Sequence, residues 1–180
     1  LVTGYDFFAD AAAEIKTQLE TGLPAGTQAD TLITPRNISP EDKDDPAVGQ
    51  PVPNDPVDPF AWTADQLRAQ LLNRRHDLVF LGGHFSAASA LAADYQTRLV
   101  SADLESSSVL SNAIIFSIGC HSGYNIVNDH GIPNITREPD WAQAFARKGA
   151  TLIAGTGYQY GDTDFIEYSE RIYLEFTRQL

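Results

Sequence analysis

The chain is poor in cysteine, in basic residues and in long apolar runs, and it contains no methionine. Its single cysteine, Cys120, excludes an internal disulfide. The 12 Lys and Arg residues are outnumbered by 24 Asp and Glu residues, for a formal net charge of −12. That balance argues against a nucleic-acid or anionic-membrane partner, because phosphate binding needs clustered cations. No apolar run approaches the roughly 20 residues of a membrane-spanning helix, which argues against membrane insertion.

The absence of methionine, including at position 1, indicates a piece excised from a longer precursor, so we expect flanking domains. A length of 180 residues suits one domain with a single buried core, and the apolar share of 43% is ordinary for a globular protein. We therefore treat residues 1–180 as a single domain. One cysteine and scattered histidines do not supply the four ligands of a structural zinc site.

Helical patterns alternate along the chain with short apolar strands. The predicted helices cover residues 6–20, 63–75, 139–148 and 164–180, and the second opens with a capping box at Thr63 and Gln66. The predicted strands cover residues 1–4, 31–34, 77–81, 113–118 and 150–154. Residues 35–60 are a long surface loop. The pattern of residues 86–110 is ambiguous and is interpreted as irregular structure, with a small hairpin as one option, followed by one helical turn near Leu104. The alternation indicates an α/β domain with a mainly parallel sheet and helices on both faces.

Two consecutive strands end in stretches that carry reactive side chains. His84 follows the strand 77–81, and Cys120 follows the strand 113–118. If the two strands are neighbours, about 4.8 Å apart, side chains just beyond their ends come within reach of one another. An imidazole beside a thiol can take its proton or stabilise the thiolate. The spacing therefore favours a Cys–His dyad at the carboxyl edge of the sheet.

Glycines surround both positions and suit the same chemistry. Gly83 and Gly119 permit tight turns and close approach by a substrate backbone. The backbone N–H groups of Cys120 and Phe85 could stabilise an oxyanion. The residues alone leave another interpretation open, in which Cys120 is an inert core side chain and His84 a hydrogen-bonded structural residue.

The motifs VFLGGHFS and SIGCHSGYN, with 36 positions from His84 to Cys120, resemble the caspase-like superfamily of cysteine peptidases. The stretches LVTGYDFFADAA and GATLIAGTGYQYGDTDF, with the acidic proline-rich loop, make the chain most similar to gingipain-type peptidases. The resemblance implies a caspase-like three-layer sandwich and a cysteine endopeptidase, with Cys120 as nucleophile and His84 as general acid and base. The superfamily usually has glycine after the histidine. Phe85 departs from that pattern, and its ring is expected either to crowd the site or to line a subsite.

Gingipain-like enzymes accept Arg or Lys in their first specificity pocket, between an acidic residue and an aromatic wall. The resemblance implies that Tyr158, Tyr160 and Asp162 form this wall, and that Asp55 or Asp58 supplies a carboxylate from the other side. A carboxylate paired with a guanidinium is chemically sensible. The alternative is that the stretch YQYGD is only a turn that leads into the last helix.

Three acidic residues in the long loop, Asp42, Asp44 and Asp55, are weak candidates for a structural calcium site. Their spacing matches no EF-hand, which favours a solvated loop, and the predicted chemistry requires no cofactor. His121 adjoins the proposed nucleophile and is interpreted as a packing or capping residue.

We therefore expect an endopeptidase that acts on peptide or protein substrates and is secreted or located at the cell surface. The chief alternative is a caspase-like pseudoenzyme that binds proteins through the same edge of the sheet. A serine-type esterase is disfavoured, because the stretch GCHSG has Cys120 where such an enzyme would have serine.

Overall fold

The structure is a computed structural model that describes residues 1–35, 60–125, 139–162 and 165–180. Its strands are β1 (Val2–Gly4), β2 (Thr31–Ile33), β3 (Leu78–Leu81), β4 (Ser89–Leu91), β5 (Arg98–Val100), β6 (Ile114–Ser117) and β7 (Thr151–Ala154). Five of them form a wholly parallel sheet in the order β2-β1-β3-β6-β7. Strands β4 and β5 form a separate antiparallel hairpin.

Helices separate most consecutive strands of the sheet, but β3 and β6 are joined by the hairpin and a 3₁₀ helix. The helices are α1 (Ala9–Gly22), α2 (Ala64–Asn73), α3 (Trp141–Arg147) and α4 (Tyr168–Thr177), with 3₁₀ helices at Asp6–Phe8 and Ser101–Ser106. This arrangement confirms the predicted α/β class with a mainly parallel central sheet. No helix in the described ranges combines the length and the apolar character needed to cross a membrane.

Successive side chains of a strand point to opposite faces of the sheet. In this sheet, both sets of side chains are buried. On β3, Val79 and Leu81 join a core that includes residues of α2 and α3. Phe80, between them in sequence, joins a second core with residues of α1 and α4. Two helices therefore cover each face, and both faces of the central strands exclude water.

Several element boundaries match the sequence patterns. The capping box of α2 is confirmed, with the Thr63 hydroxyl accepting from the N–H of Gln66. The hairpin and the helical turn containing Leu104 are confirmed. The long loop predicted for residues 35–60 lies almost wholly outside the described residues.

Two predicted helix starts are wrong. Residues 6–8 form a 3₁₀ turn ahead of α1, and α4 begins at Tyr168 rather than near residue 164. Before α4, the Asp162 carboxylate accepts a hydrogen bond from the N–H of Phe165 at 3.2 Å. Such local side-chain bonds offer the backbone an alternative to helix, which explains the later start.

Candidate active site

The register of the parallel sheet brings three functional side chains to one edge. Asp6, His84 and Cys120 each lie three residues beyond one row of register-paired positions on adjacent strands. The paired positions are Thr3 on β1, Leu81 on β3 and Ser117 on β6. The prediction that the strands before His84 and Cys120 are neighbours is confirmed. Asp6, His84 and Cys120 therefore follow one another in space along the carboxyl edge.

The backbone of His84 is held on both sides. Its N–H donates to the hydroxyl oxygen of Tyr5 at 3.0 Å, and its carbonyl accepts from the N–H of Leu91 at 2.9 Å. Gly83, just before it, has a φ of 151°, and a Cβ there would lie 2.4 Å from the Tyr5 ring. Glycine is therefore required at position 83 for both its backbone conformation and the space available.

The imidazole of His84 points toward β1. Its Nε2 lies 3.2 Å from Oδ2 of Asp6, and the same oxygen accepts from the hydroxyl of Tyr95 at 2.9 Å. The Asp6 side chain is 7% exposed and that of His84 is 38% exposed. Because an ionised carboxylate only accepts hydrogen bonds, Nε2 is the donor and Nδ1 carries the lone pair of the neutral ring. The carboxylate thus fixes the tautomer that leaves Nδ1 as a base.

Cys120 is half-buried in a turn that is attached to the loop after β7. Its Sγ accepts from the N–H of Gln159 at 3.4 Å and donates to the carbonyl oxygen of the same residue at 3.7 Å. The next residue, His121, has a φ of 56°, and its N–H donates to the carbonyl of Gly157 at 2.8 Å. Among the described residues, the polar contacts of Sγ are with Gln159 and that of the imidazole is with Asp6, so thiol and imidazole are not hydrogen-bonded to each other.

Phe85 packs directly between the two strand ends. A Cβ on Gly119 would lie 2.1 Å from Cγ of Phe85, so the ring lies on the glycine backbone, and its other side faces Trp141 at 5.9 Å between centroids. Phe85 and Ala90 form a non-hydrogen-bonded pair of an antiparallel bridge. In such a pair the N–H of Phe85 points away from the segment that contains Ala90. Across the described ranges, the N–H groups of Phe85 and Cys120 donate to no protein acceptor.

The predicted specificity residues lie on the loop after β7. Tyr158 is exposed and its ring contacts that of His121 at 4.7 Å between centroids. Tyr160 is also exposed, and its backbone pairs with Ser169 at the start of α4. The N–H of Asp162 donates to Oε2 of Glu170 at 3.2 Å. The loop is therefore bound to α4, and Tyr158 is the member of the predicted wall that adjoins the Cys120 turn.

Asp42, Asp44, Asp55 and Asp58 lie outside the described residues. Within the described ranges, no group of three or more His, Cys, Asp or Glu residues is placed to hold a metal ion. The imidazole of His121 hydrogen-bonds to the carbonyl of Thr156 through Nδ1 at 3.1 Å.

Sequence reasoning missed Asp6, Tyr95 and Gln159. A signal exists for Asp6, because it follows the end of β1 as His84 follows the end of β3, but the sequence pattern around it predicts a helix start. Tyr95 lies in the segment 86–110, whose pattern is ambiguous. Gln159 contacts the sulfur through its backbone, which no residue type reveals.

The fold and this site together define an α/β domain with a carboxylate, an imidazole and a thiol in sequence along the carboxyl edge of a parallel sheet. Sites of α/β proteins commonly form at this edge. Comparison with protein-family models, curated proteins and solved structures finds no match to this chain. The functional argument therefore depends on the geometry of these residues.

Proposed function

We propose that the chain is a cysteine-type hydrolase in which Cys120 is the nucleophile and His84 the general acid and base. One observation carries the proposal. Asp6, His84 and Cys120 follow three adjacent strands, and each lies three residues after a position that is paired across those strands. A carboxylate that holds an imidazole beside a thiol is an arrangement that activates the sulfur. Because β3, which precedes His84, lies between β1 and β6, His84 can serve both of the other groups.

The chemical steps follow from these roles. Nδ1 of His84 takes the proton of the Cys120 thiol, and the thiolate attacks the carbonyl carbon of an amide bond. The tetrahedral intermediate collapses, the C–N bond breaks, and the imidazolium gives its proton to the leaving amine. Water then attacks the thioester while the imidazole takes a proton from it, and release of the carboxylic acid restores the thiol.

Two backbone donors support the stabilisation of the intermediate. The N–H groups of Cys120 and Phe85 have no protein acceptor in the described part of the chain. An oxyanion bound by two such donors is stabilised more strongly in the transition state than the neutral carbonyl is. The rigid contact between the Phe85 ring and Gly119 holds the two donors at neighbouring strand ends.

The contact between Cys120 and Gln159 has to open before the sulfur can react with the imidazole. Sulfur hydrogen bonds at 3.4 and 3.7 Å are weak, so rotation of the Cys120 side chain breaks them at little cost while the His84 imidazole keeps its contact with Asp6. Catalytic hydrogen bonds are often long or absent without substrate and form in the substrate complex.

The particular hydrolase that we propose is an endopeptidase of the caspase-like superfamily, similar to gingipain-type peptidases and acting after Arg or Lys. The two-sided parallel sheet with reactive residues after β3 and β6 supports the superfamily. A cavity of about 360 Å³ is lined by Asp10 together with apolar residues, among them Phe7 and Ile33. Such a lining suits a basic side chain with an aliphatic stem.

A second candidate is a catalytically impaired member of the same fold that binds proteins. It is favoured by the partners that the reactive groups already have, because the imidazole pairs with Asp6 and the sulfur with Gln159. The ring of Phe85 over Gly119 also narrows the space between the strand ends. Reactivity of the thiol separates the two candidates.

The first experiment compares the rate at which iodoacetamide alkylates Cys120 at neutral pH in the folded protein and in the urea-unfolded chain. An activated thiol reacts faster when folded, whereas an inert half-buried thiol reacts more slowly. We expect folded Cys120 to be the faster, and His84→Ala to remove the acceleration. His76→Gln is the matched control, because His76 precedes β3 at its far end and should leave the rate unchanged.

A folded rate at or below the unfolded rate would favour the binding protein over the hydrolase. If the acceleration is present, digestion of a peptide library identifies the residue before the cut. Cleavage after residues other than Arg and Lys would contradict the basic specificity but not the hydrolase.

A further inference from the structure

Tyr95 reaches the candidate site from the hairpin connection between β4 and β5. Its hydroxyl donates to Oδ2 of Asp6, the same oxygen that accepts from Nε2 of His84. Asp6 is distant in the chain from both partners, since His84 follows it by 78 positions and Tyr95 by 89 positions. Their convergence on one carboxylate oxygen is a product of the fold.

The hairpin turn holds Tyr95 in place. The Asp94 carboxylate accepts from the N–H groups of Gln96 and Thr97 at 3.0 and 2.9 Å and from the Thr97 hydroxyl at 2.7 Å. The Tyr95 ring packs edge-on against Tyr5 at 5.6 Å between centroids. The hydroxyl is thus directed at Asp6 by the turn and by ring contacts with Tyr5 and His84.

The backbone at both ends of this hydrogen bond is strained. Asp6 has a φ of 57° and Tyr95 a φ of 54°, in the left-handed region that residues other than glycine rarely adopt. Such conformations cost free energy and occur preferentially at functional sites. Here both strained residues direct their side chains to the same point beside His84.

We infer that Tyr95 is a positioning residue whose hydroxyl holds the Asp6 carboxylate against Nε2 of His84, so that Nδ1 stays available as the base; this rests on the proposed dyad. The Tyr95 ring also contacts the His84 ring, at 6.0 Å between centroids. Tyr95→Phe keeps that ring contact and removes only the hydroxyl, so its effect on reactivity should pass through Asp6, which sets it apart from a residue that only stabilises the fold.

The test is a double-mutant cycle on the alkylation rate of folded Cys120, with the variants Tyr95→Phe and Asp6→Asn. Tyr95→Phe is expected to slow alkylation by roughly tenfold, the effect of losing one hydrogen bond to a charged group. The double variant is expected to be no slower than Asp6→Asn alone, because the hydroxyl then has no carboxylate to hold. If the rate reductions of the two single variants multiply in the double variant, the inference is overturned. Tyr168→Phe, which removes an exposed hydroxyl on α4, is the matched control.

A second readout does not depend on the reactivity of Cys120. The Nε2–H proton of His84, assigned by its loss in His84→Ala, should give an NMR resonance protected from exchange by Asp6. We expect Asp6→Ala, which removes the acceptor, to abolish the resonance and Tyr95→Phe to broaden it by faster exchange. An unchanged resonance in Tyr95→Phe overturns the inference, and its persistence in Asp6→Ala does so even if Tyr95→Phe fails to fold. The proposed dyad is tested separately. It is overturned if Cys120 of the unsubstituted folded protein is alkylated no faster than in the unfolded chain.

Discussion

Glu170 on α4 is a buried carboxyl group, and its pH dependence can be worked out from the structure. The residue is 0% exposed, and its Oε2 accepts from the N–H of Asp162 at 3.2 Å. In the described part of the chain, Oε1 has no hydrogen-bond partner. Burial, together with the negative charges of Asp10 and Asp162, raises the pKa of Glu170 from 4.5 to about 8.

The sign of the effect on stability follows from this raised pKa. Between pH 4.5 and about 8, the folded protein keeps a proton on Glu170 that the unfolded chain has already lost. The stability contributed by the neutral carboxyl is therefore fully present below pH 4.5 and is lost as the pH rises through about 8. One pKa unit corresponds to about 1.4 kcal/mol, so the difference between 4.5 and about 8 sets an upper bound of about 5 kcal/mol.

Glu170→Gln removes the titration and keeps an amide oxygen that can accept from Asp162. We expect the variant and the unsubstituted protein to have similar free energies of unfolding near pH 4.5. The advantage of the variant should then grow to several kcal/mol by about pH 9. Urea unfolding followed by circular dichroism at a series of pH values measures the difference. Glu175→Gln, exposed on the same helix, is the control and should show no such trend. A difference that stays constant from pH 5 to pH 9 would refute the reasoning.

Two further predictions concern packing and capping. Gly119→Ala should lower the free energy of unfolding by about 1–3 kcal/mol, because its Cβ would lie 2.1 Å from Cγ of Phe85. Adding Phe85→Ala should make the combined loss smaller than the sum of the single losses in urea titrations, and strict additivity would show that the two residues do not compete for space. Thr63→Ala should cost about 1 kcal/mol, because its hydroxyl caps the N–H of Gln66. Thr63→Ser should retain most of that stability, and an equal loss in both variants would contradict a capping role.

The candidate site illustrates how far residue patterns reach. His84 and Cys120 could be predicted because each follows an apolar strand and is flanked by glycine, features that lie within a few residues of the reactive side chain. Asp6 could not be paired with His84 in advance, because that pairing requires β1 to lie beside β3. Likewise, the sulfur partner Gln159 contributes only its backbone, so its side chain carries no signal.

The amino-acid sequence by itself determined the alternating helices and apolar strands, the parallel sheet and the edge on which the thiol and the imidazole lie. These properties depend on the periodicity of apolar residues and on the glycines that end the strands, and both signals lie within a few residues of the feature that they predict. Only the tertiary structure decided that the imidazole turns to Asp6 and Tyr95 while the sulfur turns to Gln159. The physical reason is that side-chain direction is set by contacts between segments distant in the chain, and strand order chooses which segments meet.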